Sequence, residues 1–499
     1  MMTSSAAMLL DHFFKMAAIF LVTPWMAGGL GKEQYGLWLL AMSLVGYLAL
    51  IDFGITLAGS RYLARYLGAG NENRLQGTIS ALRKIYRKLG LACLLGVLLL
   101  TAGCLWFFRA EAWKEDLISI VVTLGLGTSV RIWCRLPAAL LRGHLAYTSL
   151  VWASIARTLV QAVGAWSVLH AGAGFLALTL MYLAGDLLEL ALQRFSARRY
   201  YPSQRGLTPD EHKDESAEIF RYALQSLSGA LATTLRGQVP PLGIAWALGV
   251  GTIPIYSIAM RLVGVVEDSL GALFGGQWLS AFSRMEGGEN ALLERRKWIQ
   301  RLLRYAASLA SAAIVGLLIL GRPFLELWLG PAFVESHQLL HILAVPTVIY
   351  LAQWPARALI ASSAELGAFT RWCFVGAAVV AAGSFVLPFW WGIAGVMWLI
   401  AIHHILIFGV LLSYYVGRIV QISPLTYWLP AVRIGLVMAF CAWGYSQLAS
   451  PLLVPNYWKL FQAGVGLGVV CLVVIGVVGL NREERHGIWG IVKKRLGRR

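Results

Sequence analysis

Some fourteen hydrophobic stretches follow one another along this chain with almost nothing between them. Ile118–Val130, Gly174–Leu192, Leu302–Leu320 and Gly464–Leu480 are clean examples. A bilayer core takes about 20 mostly apolar residues per helix. One such segment is compatible with a buried helix of a water-soluble protein. A near-continuous succession is not, because no soluble fold has enough interior to hide them all. The expectation is an all-α polytopic membrane protein of about 14 transmembrane helices.

Composition agrees. Of 499 residues, 58% are hydrophobic and 13% charged, against about 25% charged in a soluble domain. No polar stretch is long enough for a separate soluble domain. The longest, 194–221, reads as a linker or amphipathic helix. The net charge of +18 would point to nucleic acid in a soluble protein. Here no nucleic acid is expected, because Lys and Arg gather in alternate loops. Seven lie between Arg61 and Lys88, six between Arg194 and Arg221, six between Arg284 and Arg304, and seven from Arg482 onward. The intervening loops hold Lys32, Arg109, Lys114, Arg322 and Lys459. The positive-inside rule places both termini in the cytoplasm, which requires an even number of spans. The N-terminal apolar run contains Asp11, His12 and Lys15 and reads as a retained first span. The six cysteines lie in or beside apolar runs without metal-ligand spacing, and read as small apolar residues. No metal and no cofactor is expected.

The spans are expected at 6–30, 36–58, 89–108, 117–136, 146–169, 175–195, 219–247, 253–282, 303–328, 337–360, 369–390, 392–416, 428–449 and 459–480. Ala41-Met-Ser-Leu-Val-Gly46 recurs as Ala259-Met-Arg-Leu-Val-Gly264, an offset of 218. Residues 68–75 recur loosely as 286–293 at the same offset. Two matches at one offset predict a duplication: a six-helix half over 1–218, a second over 219–418, and two extra helices with a basic cytoplasmic tail over 419–499. Six helices separate the copies, so the halves run parallel. Transporters with such repeats place substrate between the halves.

Several short strings carry a resemblance. Tyr35-Gly-Leu-Trp38, Ser43-Leu-Val-Gly-Tyr47, Ile51-Asp-Phe-Gly54 and Arg61-Tyr-Leu-Ala-Arg65 resemble the opening of polysaccharide-biosynthesis flippases. These are the O-antigen-type translocases of the multidrug/oligosaccharidyl-lipid/polysaccharide exporter superfamily. Tyr256-Ser-Ile-Ala-Met-Arg-Leu262 resembles a segment of their eighth helix. The resemblance implies a six-plus-six-plus-two helix plan in a bacterial inner membrane. It also implies a lipid-linked oligosaccharide as cargo, and polysaccharide assembly proteins as further partners. Arg236, in the seventh helix, departs from the acidic or neutral residue of many members, so no cation-coupling carboxylate is carried over there.

Charge inside the membrane is rare and marks function. By the assignments above, Arg157, Arg236 and Arg261 lie deep, with Glu267, Asp268, His403 and His404. Asp11, Lys15, Asp52, Arg131, Arg135, Glu189, Arg357 and Arg433 lie nearer the cytoplasmic face. Asp11 and Lys15, four apart, are expected to pair. Arg261 and Asp268, seven apart, share a face. Asp52 is expected at a helix end, facing Arg61 or Arg65, and Arg131 and Arg135 snorkel to the surface. Central acids are few, so Arg157, Arg236 and Arg261 are expected to supply unneutralised charge to a cavity holding a pyrophosphate, which guanidinium binds bidentately. Asp52, Lys15, Asp268, His403, His404 and Arg357 are the candidates for gating or coupling. His403 and His404 point about 100° apart. At most one faces a cavity, and packing is the simpler role. Trp390 and Trp391 read as an interfacial belt.

The favoured function is flipping of a polyprenyl-pyrophosphate-linked oligosaccharide by alternating access, for O-antigen or exopolysaccharide synthesis. Anionic membrane lipids are expected at the basic cytoplasmic loops. An ion-coupled drug or organic-cation antiporter of the same superfamily is the alternative; it calls for an acidic cavity. A major-facilitator transporter lacks its Gly-rich signature in the loop Ser60–Leu67. A membrane polysaccharide polymerase or ligase needs catalytic groups in sizeable periplasmic loops. The longest such loop is 329–337, and no nucleophile–base or metal constellation appears, so the chain is not expected to be an enzyme.

Overall fold

A computed structural model describes residues 2–52, 54–109, 111–201, 211–274, 276–285, 291–481 and 483–486. Every regular element among them is helical. Their contacts group into two compact units, Met1–Pro254 and Ile255–Arg499.

The first unit contains α1 (Met2–Gly46), α2 (Ile55–Gly68), α3 (Glu72–Phe107), α4 (Lys114–Trp133), α5 (Leu136–Gly143), α6 (Tyr147–Ala171), α7 (Gly174–Ala197) and α8 (Glu211–Leu248). α1 carries a break at Gly31, whose φ of 75° lies in the region that glycine alone enters without strain. It therefore holds the two spans expected at 6–30 and 36–58. The second of these ends earlier than expected. A 3-10 turn follows over Tyr47–Asp52, and Gly54, at φ 75°, restarts the chain as α2. α3 begins far earlier than the expected 89. Asn71 caps it by accepting from the Arg74 N–H at 3.1 Å, so the basic residues up to Lys88 are helical and not a loop. α3 and α4 pack tightly through small residues. A Cβ on Gly90 would stand 2.8 Å from Trp133, and one on Gly125 2.7 Å from Val97. Close backbone approach supplies dispersion where lipid leaves no hydrophobic driving force between helices.

The second unit contains most of α9 (Ile253–Phe274), then α10 (Gly276–Met285), α11 (Ala291–Leu329), α12 (Glu335–Ala352), α13 (Trp354–Ala361), α14 (Leu366–Val386), α15 (Pro388–His403), a π-helical stretch His404–Leu411, α16 (Leu412–Val420), α17 (Pro424–Leu448) and α18 (Tyr457–Val474). α17 is capped by Ser423 and α18 by Asn456. Both pack on α11 through Met438, Ala442, Leu467 and Cys471, against Ala312 and Val315.

Eleven helices among the described residues are long and apolar enough to cross a bilayer, the break at Gly31 lying within the first. The expected spans at 146–169 and 219–247 are helical as α6 and α8 but are not among the eleven. Element bounds recur at the offset of 218. Leu136–Gly143 shifted by 218 falls on Trp354–Ala361, each with a proline at its second residue, Pro137 and Pro355. The positive-φ glycines Gly31 and Gly174 fall on Gly249 and Gly392. The second sequence match, over 286–293, lies mostly outside the described residues. The packing boundary falls at Pro254 and not at the expected 218, so α8 packs with the first unit.

None of the six cysteines is in a disulfide. Trp390 and Trp391 are exposed at a helix start, as an interfacial belt requires.

Candidate functional site

In the first unit, α4, α6 and α7 bring four charges together. Arg157 lies 3.6 Å from Asp186 and 3.3 Å from Glu189, and Arg131 lies 3.5 Å from the same Asp186. Asp186 and Glu189 are three apart and so share one face of α7. Gly185 allows the approach: a Cβ there would stand 2.7 Å from Gln161 and 3.1 Å from the Arg157 carbonyl. Gln161 donates to the Tyr182 carbonyl at 3.1 Å and to Asp186 at 3.4 Å, and Gln193 donates to Glu189 at 2.9 Å. Two guanidiniums and two carboxylates sum to zero. This corrects the expectation for Arg157, which does not bring unneutralised charge; Arg131 pairs with Asp186 while its side chain stays 34% exposed. The physical reason is the cost of an isolated charge at depth, relieved here by acids 29 and 32 residues further along.

Asp11 and Lys15 pair at 2.7 Å. Asp52 ends its 3-10 turn and accepts from the Thr56 hydroxyl at 2.8 Å. Its partner is therefore the first turn of α2 and not Arg65. Arg236 is half-buried on α8 and Arg261 half-buried on α9, while Asp268 is exposed. All three keep polar or electrostatic contacts with neighbours.

A second cluster forms in the second unit. Tyr350 on α12 donates its hydroxyl to Glu267 on α9. Its ring stacks on His404, with centroids 4.3 Å apart and planes at 8°. On the other side lies Arg357, its guanidinium 4.0 Å from the Tyr350 centroid, 4.5 Å from that of Phe408 and 4.6 Å from that of Trp354. Arg357 also donates to the Tyr350 carbonyl at 2.9 Å, and forms no ion pair among the described residues. Its charge is held by ring quadrupoles, worth about 2 kcal/mol when desolvated. His403 and His404 are both buried. His403 packs on Gly376 and Phe408. Asp186 and His404 are separated by the same offset of 218. The first is a carboxylate between arginines, the second an imidazole on a tyrosine.

Sequence reasoning missed the Glu267–Tyr350 bond and the aromatic cage of Arg357. The partners are 83 residues apart in the first case. In the second, only the tight Tyr350…Trp354…Arg357 spacing carried a signal. It also missed Gln353, fully buried. Gln353 donates to the Phe408 carbonyl and to Ser413, and accepts from Tyr427 at 2.7 Å.

The family profile described as polysaccharide biosynthesis protein matches residues 3–286. The chain belongs to the polysaccharide biosynthesis protein family. No curated protein sequence matches it. Among solved structures, this family member is similar to a multidrug resistance MATE family transporter of the MOP superfamily in an inward-facing conformation. The TM-score is 0.64 at 14% identity, over 82% of this chain and 95% of that one. It is similar to the lipid II flippase MurJ in an inward closed conformation, with a TM-score of 0.59 at 14% identity, over 96% and 98% of the two chains. A MOP superfamily transporter from Pyrococcus furiosus, described by the reversed polarity of its binding pocket, gives 0.53 at 16% identity over 84% and 95%. The fold is that of MOP superfamily transporters, a multi-pass membrane architecture.

Proposed function

We propose that this protein flips a polyprenyl-pyrophosphate-linked oligosaccharide across a bacterial cytoplasmic membrane by alternating access, for O-antigen or exopolysaccharide synthesis, with both termini cytoplasmic. It is a transporter and not an enzyme. The observation that carries the reading is coverage. Residues 419–499, with the two helices beyond the repeats, are 81 of 499 residues, about 16% of the chain. The match to the lipid II flippase leaves only 4% uncovered, so it takes in most of that region. The match to the drug transporter leaves 18% uncovered. Family membership supports the same cargo class.

Arg236 and Arg261 supply positive charge along the route of the pyrophosphate. Arg357, caged by aromatic rings, provides a third fixed charge whose protonation does not vary. Arg157 has a structural role in the neutral cluster. Arg236→Ala and Arg261→Ala should each abolish surface polysaccharide with the protein still at normal level in the membrane. Lys at either position should rescue partially where charge alone matters and poorly where bidentate geometry matters. Arg157→Ala should instead lower the protein level, because Asp186 and Glu189 lose a partner at depth. Normal export by both alanine variants would sink the assignment. A deletion strain with normal polysaccharide but heightened drug sensitivity would favour the antiporter.

A further inference from the structure

The first unit holds a cavity of about 620 Å³, lined by none of Arg236, Arg261 and Arg357, between α3 and the ends of α4 and α7. Arg83 and Arg87 reach it from α3, one turn apart, and Arg194 and Arg198 reach it from the end of α7 and the turn after it. All four are exposed, and none forms an ion pair among the described residues. The nearest acid on α7, Glu189, is already engaged by Arg157 and Gln193. Tyr201 adds a hydroxyl. Burial pushes it up from the usual phenol range even with Arg83 and Arg194 close by, so it stays a neutral donor.

The other wall is apolar. Val130, Trp133 and Leu187 line it and are exposed on the outside of the unit. A rim of four guanidiniums over an apolar wall has two demands. The rim calls for an anion with several acceptor oxygens, which phosphate meets by bidentate bonding. The wall calls for hydrocarbon. A soluble anion meets the first demand only; a lipid phosphate meets both. Clusters of basic residues at the cytoplasmic boundary of membrane helices bind anionic headgroups on the same grounds.

We propose that this cavity binds a lipid-borne phosphate, with the phosphate on Arg83, Arg87, Arg194 and Arg198 and the start of the chain along Val130, Trp133 and Leu187. Two sources present that chemistry: an anionic phospholipid of the surrounding leaflet and an isoprenoid diphosphate. The inference stands whatever sugar the protein carries.

The test is native mass spectrometry of the full chain released from detergent. The probes are dioleoylphosphatidylglycerol, farnesyl diphosphate, dioleoylphosphatidylcholine and sodium pyrophosphate. The expected result is retention of phosphatidylglycerol or of farnesyl diphosphate, whichever is the source, and not of phosphatidylcholine. Arg83→Ala with Arg87→Ala should weaken that retention about thirtyfold, the loss expected for two basic residues at an anionic lipid. Lys84→Ala with Lys88→Ala removes the same charge from the same turns, outside the cavity, and should leave retention unchanged. Bound lipid should also slow alkylation of Cys134, which lines the cavity, and not of Cys441. Equal losses in the two double variants would show diffuse attraction and overturn the site. Pyrophosphate held as tightly as either lipid, or an unchanged Cys134 rate with lipid bound, would overturn it as well.

Discussion

Arg157 and Arg357 are both guanidiniums held within helical units, and the fold compensates them by different means. Arg157 meets two carboxylates; Arg357 meets three aromatic faces and one carbonyl. Depth was legible from hydropathy, but compensation was not, because it comes from residues on other helices. Glu484 shows the same dependence at the end of the described chain. It lies 2.5 Å from Arg301 and 3.0 Å from Arg304 on α11. Burial works to raise its carboxyl. The Asn481 N–H at 2.8 Å, then Arg301 and Arg304, outweigh that and hold it below the usual carboxylate range. A carboxyl lowered by folding stabilises the folded state above its unfolded pKa of about 4.3. That contribution is lost as pH falls through the lower folded value. Glu484→Gln should therefore lower the melting temperature in detergent near neutral pH, and the difference from the native chain should fade as the carboxyl protonates well below that unfolded value. A difference that persists there would show that carboxylate charge plays no part.

The stretch His404–Leu411 is π-helical, a widened turn that is uncommon and concentrates at functional sites. Side chains from the junction of α12 and α13 and from α17 brace it. Gln353 donates to the Phe408 carbonyl at 2.9 Å, and Trp428 donates to the Gly409 carbonyl at 3.0 Å and to Ser413 at 2.7 Å. Trp428 lies on α17, so the helix that follows α16 braces this stretch. Gln353→Met keeps the volume and removes the bonds. It should cost about 1–3 kcal/mol, the penalty for leaving buried polar groups unsatisfied, read as a lower melting temperature with the protein still inserted. No change on this substitution would mean that the π-helical turns do not depend on Gln353. The strong apolarity of this segment was plain in the sequence. Its widened turns were not, because local propensity does not encode bonds to distant side chains.

For the whole molecule, topology is the property on which the flippase reading depends. Reporter fusions at Asn71, Gly206, Gly287 and Arg499 should all report cytoplasm. The last three lie outside the described residues and rest on loop charge alone. A periplasmic signal at any of them would break the helix count. The offset of 218 recurs at glycines and prolines that shape the backbone. Gly31 and Gly249, Gly174 and Gly392, Pro137 and Pro355 keep the offset of 218, while the charged residues around them do not.

The sequence by itself determined the solvent of this fold. Repeated runs of about 20 apolar residues leave a chain no option but helices in a bilayer, since only helices satisfy their own backbone there. It also determined the Asp11–Lys15 pair and the family, because each is written in local spacing or short strings. The tertiary structure decided which charges are neutral and which are not. It joined Arg157 to Asp186 and Glu189, laid Arg357 against Tyr350, Trp354 and Phe408, and gathered Arg83, Arg87, Arg194 and Arg198 around one cavity. Electrostatic energy depends on distance through space, and helices far apart in the chain set that distance only when they pack.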